Sequence, residues 1–180
     1  MSGTGGGLLV TVLHPGVLTE ECLTNYKESN INANSYDLRA SRVFEVLGGI
    51  EIYANGDREL PKYRVLESYQ DAKGREMFRL DPKKLYQIET YESVQLPTDV
   101  CAITLMRSSM HKSGASGEVG LYDTGYKGPC GMTVSVGSST VFERGASLFQ
   151  MVFLRADTTE LYQGRYLDSK WVERLITEKE

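Results

Sequence analysis

The chain has 180 residues, of which 41% are hydrophobic and 24% are charged, and its formal net charge is −4. This length suits a single domain, residues 1–180, and no apolar run reaches the roughly 18 residues that a membrane-spanning helix needs. The acidic balance argues against nucleic acid or an anionic membrane as a partner, because the surfaces that bind them are broadly basic. An anionic ligand would need a local basic cluster, for which the candidates are Arg107, Lys112, Lys127 and Arg165.

The cysteines and histidines limit the chemistry further. Cys22, Cys101 and Cys130 are odd in number and widely spaced, which is typical of a reducing compartment, so we expect a soluble cytoplasmic protein. The sequence has no His-x-Glu or Pro-Cys-x-x-Cys pair, which argues against zinc-dependent base deamination. Residues 1–8 are glycine-rich without the features of a signal peptide, and we expect a flexible tail there.

Short alternating or β-branched runs, separated by turn residues, fill the centre of the chain and predict antiparallel strands. The expected strands are 42–47, 50–53, 62–69, 76–80, 85–94, 101–106, 118–122, 131–136, 139–143 and 147–154. Gly48 and Gly49 predict a tight hairpin between the first two, and residues 71–74 predict another between the next two. This number of strands indicates an all-β sandwich, jelly roll or barrel.

Helices are expected only near the two ends. One should begin near Thr19, whose hydroxyl can cap the amides ahead of it. The other should span about 168–178, where Trp171 and Leu175 recur at i, i+4 spacing on one apolar face. Residues 157–180 are therefore predicted to form a C-terminal arm, which either packs on the β domain or acts as a lid.

Residues 107–128 carry the clearest chemistry. Arg107, Ser108 and Ser109 combine a fixed fork of donors with two hydroxyls, which suits a polyphosphate. Asp123 follows among glycines, which let a backbone approach a ligand closely, and its carboxylate has the chemistry to orient a water against phosphorus. We expect a phosphate cradle followed by a carboxylate-bearing hairpin. Taken alone, the same residues also fit an ordinary loop and, for Asp123, a turn cap.

The same stretch resembles two signature segments of the dUTPase and dCTP deaminase superfamily. The flanking segments follow the order of that family: 32–40 (NANSYDLRA) resembles its first motif, 90–97 (TYESVQLP) the strand before Arg-Ser-Ser, and 142–153 (FERGASLFQMVF) its fourth motif. Together the matches cover residues 31–155. On these motifs the chain is identified as a member of the superfamily.

The resemblance implies a distorted jelly-roll β-barrel of the dUTPase type with one or two short helices, assembled as a homotrimer with sites between subunits. It implies hydrolysis of dUTP to dUMP and pyrophosphate, with Asp123 activating the water that attacks the α-phosphate. Magnesium (Mg2+) would be bound through the substrate phosphates, and Asp37 would touch one of its waters rather than the metal. The ring of Tyr126 would lie under the deoxyribose.

The substrate-binding residues that the resemblance implies are Arg107, Ser108, Ser109, Lys112, Gly120, Tyr126, Gln150, Tyr162, Arg165 and Tyr166. Two of the site residues have plain structural alternatives. Asp37 could form an ion pair with Arg39, and Tyr126 could be an exposed strand aromatic.

One position separates hydrolysis from deamination. Deaminases of the family carry a glutamate about ten residues beyond the aspartate, which corresponds here to Thr133, and residues 131–136 contain no acid. Deamination would then lack its proton carrier. Residues 162–166 (YQGRY) nevertheless resemble the deaminase branch, although Ser169 replaces its expected glutamine. The predicted function is a dUTPase; the alternatives are a dCTP deaminase, a bifunctional dUMP-forming deaminase and a non-catalytic nucleotide-binding regulatory protein.

Overall fold

The computed structural model describes residues 11–18, 22–157 and 160–164. The expected tail at 1–8 and the helix at 168–178 lie outside the described residues. So do Arg165 and Tyr166. The prediction of a helix beginning near Thr19 was wrong, because residues 22–27 are not helical and Leu23 forms a β-bridge with Val94 instead. Within the described part of the chain, no helix is long and apolar enough to cross a membrane.

The described residues are mainly strands, which confirms the all-β prediction. The strands are β1 (Val12–Leu13), β2 (Tyr36–Leu47), β3 (Glu51–Ile52), β4 (Arg58–Glu59), β5 (Lys62–Val65), β6 (Tyr69–Gln70), β7 (Glu76–Leu80), β8 (Leu85–Gln95), β9 (Val100–Met106), β10 (Ser116–Gly117), β11 (Gly120–Tyr122), β12 (Lys127–Ser135), β13 (Thr140–Glu143) and β14 (Ser147–Arg155). The helical segments are α1 (Ser108–Lys112) and the 3-10 turns Pro15–Val17 and Glu28–Asn30.

The described strands form one large sheet and two small ones. The large sheet runs β10-β12-β8-β2-β14-β9-β11, with β1 added to β14 and β5 added to β2. The small sheets are β13-β7-β6 and β3-β4. β2 pairs with β14 over its first residues and with β8 and β5 over its later ones, with a register shift between Ala40 and Arg42. β2 therefore joins the two halves of the large sheet.

Alternation explains how the long strands bury their side chains. In β9, Ala102, Thr104 and Met106 are buried while the residues between them are partly exposed. Successive side chains of a strand point to opposite faces, so one face of β9 meets the core and the other does not. β8 departs from this pattern, because the five residues from Tyr86 to Thr90 are all buried.

The prediction of a hairpin at Gly48 and Gly49 was wrong. Gly48 does turn the chain, at φ +83°, but β3 leaves the large sheet and pairs with β4. The end of β2 pairs instead with β5, which buries Tyr63. Both residues of β3 are exposed, so β3 offers the core no apolar side chain comparable to Tyr63.

The second predicted hairpin was confirmed, with a shorter first strand. β6 pairs with β7, and Asp71 Oδ1 accepts hydrogen bonds from the backbone amides of Lys73 and Arg75 in the turn. The predicted strand 62–69 is divided, because β5 pairs with β2 whereas β6 joins the small sheet.

Candidate active site

Asp123 lies in a turn between two strands that have different neighbours. β11 pairs with β9, whereas β12 pairs with β8 and β10, so the expected carboxylate-bearing hairpin is not a paired ladder. β11 and β12 are linked instead through the hydroxyl of Tyr122, which donates to Gly131 O at 3.3 Å and accepts from Gly131 N at 3.2 Å. Asp123 is therefore exposed at a turn between two strands that do not pair with each other.

Backbone contacts fix the shape of this turn. The amide of Tyr126 donates to Asp123 O at 3.0 Å, and Gly125 has φ +73°, a conformation that favours glycine. Thr124 holds the segment 160–164 against the turn, because its hydroxyl donates to Glu160 O and its carbonyl accepts from Tyr162 N, both at 2.9 Å. The C-terminal residues that the structure describes therefore pack directly beside Asp123.

Tyr126 is a buried aromatic residue, so the alternative of an exposed strand aromatic was wrong. Its side chain is 6% exposed, and its hydroxyl donates to Pro129 O at 3.0 Å. Its ring meets those of Tyr122 and Tyr162 edge to face, at centroid distances of 5.2 and 5.4 Å. Burial raises the pKa of the Tyr126 phenol well above its ordinary value, so the group is neutral and remains a hydrogen-bond donor at physiological pH.

The turn forms one wall of a cavity of about 380 Å³, called here the Asp123 cavity. This volume falls within the range of small-molecule sites. Its lining includes Gln87, Glu118, Gly120, Asp123, Tyr126, Thr133 and Tyr162. Four of the predicted site residues, Gly120, Asp123, Tyr126 and Tyr162, therefore meet in one cavity.

The motifs do not identify two polar residues of this cavity that come from β8. Gln87 and Glu89 are both buried and line it, and Glu89 pairs with Arg42 through Nη2 and Oε2 at 2.6 Å. Polar side chains inside a fully buried strand are a signal in themselves, because burying a polar group is unfavourable unless it has a partner or a function. Thr133 lies opposite Gln87 in the register of β12 and β8.

A second group, the Asp37–Arg107 cluster, consists of Asp37, Arg107 and Gln150. Arg107 Nη1 lies 3.1 Å from Asp37 Oδ2 and also donates to Ser147 O at 3.3 Å. Gln150 on β14 lies opposite Asp37 on β2, so their side chains share one face of the sheet. Three of the predicted phosphate and magnesium residues are thereby brought together by β2, β14 and the end of β9.

The electrostatics of Asp37 are set by two opposing effects. Burial raises the pKa of its carboxyl above the ordinary value, while Arg107 and a hydrogen bond from Asn32 lower it, and the net shift is upward. The alternative ion pair with Arg39 was wrong. The Arg39 side chain instead binds the fully buried carboxylate of Glu92, with Nε and Oε1 2.6 Å apart.

The remaining cradle residues lie on the surface beside Arg107. Ser108 and Ser109 open α1, and both are exposed, as is Lys112 at its end. Neither these residues nor Asp37, Arg107 or Gln150 line the Asp123 cavity. The predicted site residues that the structure describes thus fall into two groups within one chain.

No group of three or more histidine, cysteine or acidic side chains that could hold a metal ion occurs within the described ranges. Asp37 provides one carboxylate, next to the amide of Gln150. One carboxylate suits a cation that keeps most of its waters and is shared with a phosphate-bearing ligand.

Fold and site together define an all-β protein of the jelly-roll class, built around a strand-lined cavity with a carboxylate at an adjoining turn. Residues 17–156 match the family model described as dCTP deaminase-like. The chain belongs to this family, which confirms the family suggested by its motifs.

Relatives in this family carry two activity names. A probable deoxyuridine 5′-triphosphate nucleotidohydrolase of Methanopyrus kandleri is 30% identical over 132 residues, which cover 72% of this chain and 82% of that protein. A dCTP deaminase of Sulfurisphaera tokodaii is 27% identical over 150 residues, covering 81% and 78%. The crystal structure of 2′-deoxycytidine 5′-triphosphate deaminase from Agrobacterium tumefaciens matches with a TM-score of 0.63 at 19% identity, over 82% of this chain and 47% of that chain. The structural match supports the fold.

Proposed function

We propose that the protein hydrolyses dUTP to dUMP and pyrophosphate, with Asp123 activating the attacking water. The observation that carries this proposal is the contrast between Asp123 and Thr133 in one cavity. Asp123 is an exposed carboxylate on a fixed turn, whereas the position of the deaminase glutamate holds a hydroxyl that is bonded to Gln87. The relative from Methanopyrus kandleri, named a probable deoxyuridine 5′-triphosphate nucleotidohydrolase, supports the same assignment.

The proposed chemistry needs a base, an in-line water and cations around the phosphates. Asp123 accepts a proton from the water as the oxygen attacks the α-phosphorus, and pyrophosphate leaves. Arg107 stabilises the charge on the phosphate oxygens, since a guanidinium forms strong charge-assisted hydrogen bonds with phosphate. The proposed binding residues are Arg107, Ser108, Ser109, Lys112, Gly120, Tyr126, Gln150, Tyr162, Arg165 and Tyr166.

Magnesium fits the Asp37–Arg107 cluster as an ion that arrives with the nucleotide. Asp37 would contact one of its waters, and Gln150 lies beside that position. When bound, the ion neutralises negative charge on the phosphate oxygens. Arg107 leaves Asp37 for the phosphates in this scheme, so the carboxylate becomes available to the hydrated ion.

We propose that the working assembly is a homotrimer in which one chain completes the site of another. The division of the proposed binding residues supports this, because Asp37, Arg107 and Gln150 do not line the Asp123 cavity of their own chain, whereas a single nucleotide must contact both groups. Val119 and Leu121, on either side of Gly120, are each 64% exposed beside the cavity. Apolar side chains of this kind favour contact with another chain. Size-exclusion chromatography with light scattering tests the assembly, and a monomer with full activity would contradict it.

The deaminase is the second candidate, because Glu118 lines the Asp123 cavity. In that reaction water replaces the amine of dCTP, giving dUTP and ammonia, and Glu118 would carry the protons. Incubation with dUTP and dCTP separately, each with Mg2+, distinguishes the two. We expect dUMP and pyrophosphate from dUTP and no ammonia from dCTP. Ammonia released from dCTP as fast as pyrophosphate from dUTP would overturn the hydrolase proposal.

A further inference from the structure

A buried carboxamide faces the Asp123 cavity. Gln87 on β8 is 3% exposed and lines the cavity wall. Its Oε1 accepts a hydrogen bond from the Thr133 hydroxyl at 2.6 Å. Within residues 11–18, 22–157 and 160–164, the bond from Thr133 is the one side-chain hydrogen bond that the structure shows for Gln87. Thr133 satisfies the Oε1 end of this amide, and Gln87 lines the cavity, so Nε2 is placed to donate to a ligand that enters it.

Thr133 determines which end of the amide is turned to the cavity. Its hydroxyl proton has one acceptor within the described chain, Gln87 Oε1. With the amide reversed, Nε2 would donate to that hydroxyl and leave the hydroxyl proton without an acceptor. The observed arrangement satisfies both the proton and Oε1, so Nε2 is the group left for a ligand.

Gly131 lets β12 pass close to this amide. Gly131 and Thr133 lie on the same face of β12. A Cβ atom at position 131 would be 2.9 Å from Gln87 Nε2 and 2.6 Å from Ile88 O. Both distances are too short for a side chain, so glycine is required where β12 passes the amide. Pro129 and Cys130, which precede it, also line the cavity.

We infer that Gln87 selects uracil over cytosine by donating from Nε2 to the carbonyl oxygen at C4 of the pyrimidine. This inference rests on the proposed function, since it places the base of dUTP in the Asp123 cavity. Uracil has an acceptor at C4, whereas cytosine has an amino group that donates. A cytosine amine facing Nε2 would bring two donors together and leave both unpaired. Gln87 is then the group that touches the base, and Thr133 is a positioning residue that acts through Gln87.

The test compares the binding of non-hydrolysable dUTP and dCTP analogues by calorimetry, together with kcat/KM for both triphosphates. The central variant is Gln87→Leu, which keeps the approximate volume and removes both polar ends. We expect its affinity for the uracil analogue to fall about tenfold while that for the cytosine analogue changes little. Gln95→Leu is the matched control, because Gln95 is an exposed residue of the same strand, and it should leave the preference unchanged.

Thr133 supplies a second, nearly isosteric test should Gln87→Leu fold poorly. Thr133→Val removes the hydroxyl and should reduce the uracil preference, because the amide is then free to turn either end to the cavity. Thr133→Ser restores the hydroxyl and should restore the preference. If Thr133 were purely structural, Thr133→Val would reduce the affinity for both nucleotides equally. That result would overturn its assignment as a positioning residue.

Failure of this inference is distinguishable from failure of the proposed function. Wild-type hydrolysis of dUTP with a base preference that Gln87→Leu does not alter would overturn the inference alone. A Gln87-dependent preference for the uracil analogue, without hydrolysis, would overturn the function and uphold the inference. Tighter binding of the cytosine analogue by the wild type would overturn the inference.

Discussion

The Asp123 cavity and the Asp37–Arg107 cluster differ in how firmly their groups are held. In the cavity, Tyr126 and Gln87 are buried, and Gln87 is fixed through Thr133. In the cluster, Arg107 retains substantial exposure and is held by one carboxylate and one carbonyl. If the proposed function holds, the cavity is the preorganised end, which receives a neutral ring, and the cluster is an ion pair that a phosphate can replace.

The largest expected effect comes from removing the carboxylate at the cavity end. Asp123→Asn should reduce kcat by about 10²–10⁴-fold, because the amide keeps the shape but cannot take a proton. Nucleotide affinity should stay within about tenfold, since the phosphate and base contacts remain. Steady-state kinetics and calorimetry on the same preparation check both values. Full activity in this variant would remove Asp123 from the mechanism.

The second-largest expected effect is a loss of triphosphate binding, without loss of nucleoside binding, when Arg107 is removed from the cluster. Arg107→Ala should weaken binding of the triphosphate by about 1.5–3 kcal/mol, the value of a hydrogen bond to a charged group. Deoxyuridine has no phosphates and should bind nearly as before. Titrations with the nucleoside and with a non-hydrolysable triphosphate measure the difference. Equal losses for both ligands would mean that Arg107 supports the fold.

Lowering the pH should protonate Asp37 at a higher pH than an ordinary aspartate and so weaken magnesium-dependent binding at the Asp37–Arg107 cluster. The pKa of Asp37 is raised above 3.8 by burial, so its carboxylate takes up a proton at higher pH than usual. Magnesium-dependent nucleotide affinity should therefore fall as pH drops through that raised pKa. Asp37→Asn should bind more weakly at neutral pH and lack this step. Affinity measured against pH for both proteins checks the difference, and the same step in both would exclude Asp37 as its source.

The raised pKa of Asp37 affects stability in the opposite direction to nucleotide affinity: protonation weakens binding but favours the folded state. A carboxyl whose pKa is higher in the folded state binds its proton more tightly there, so its ionisation above that pKa lowers the free energy of unfolding. Replacement of Asp37 by asparagine removes that cost. The unfolding free energy of the variant minus that of the wild type should therefore increase as pH rises through this range, measured by urea denaturation.

The smallest expected effect is at the contact between the Asp123 turn and residues 160–164. Thr124→Val removes the hydrogen bond to Glu160 O with little change of shape and should cost about 0.5–1.5 kcal/mol of unfolding free energy. Thr24→Val is the control for loss of a threonine hydroxyl elsewhere, because the exposed Thr24 hydroxyl bonds to Ser93 Oγ and accepts from Ser93 N away from the turn. A loss confined to the control would contradict the role of Thr124.

Local patterns predict the parts of the fold that depend on neighbours in sequence. β9 and β14 follow from alternation, and the β6–β7 turn follows from its aspartate and glycine. The strand that pairs with the end of β2 after Gly48 cannot be predicted from local pattern. That strand is β5, which lies later in the chain and buries Tyr63. Pattern matching finds strands more readily than it finds their partners.

The same limit applies to the site. Asp123 and Tyr126 belong to one short motif, so the sequence places them together. Gln87 and Thr133 are 46 positions apart and meet only through the register of β8 and β12. The sequence shows that Thr133 replaces an expected acid, but not that a buried amide faces it. A polar residue in a continuously buried strand is the feature that would have pointed to Gln87.

The most direct test of the central claim is hydrolysis of dUTP in water enriched in oxygen-18, with mass analysis of both products. Attack of the Asp123-activated water on the α-phosphorus places the label in dUMP and leaves pyrophosphate unlabelled. Label in pyrophosphate would mean attack at the β-phosphorus and would contradict the proposed geometry. Absence of dUMP formation with Mg2+ present would contradict the hydrolase itself.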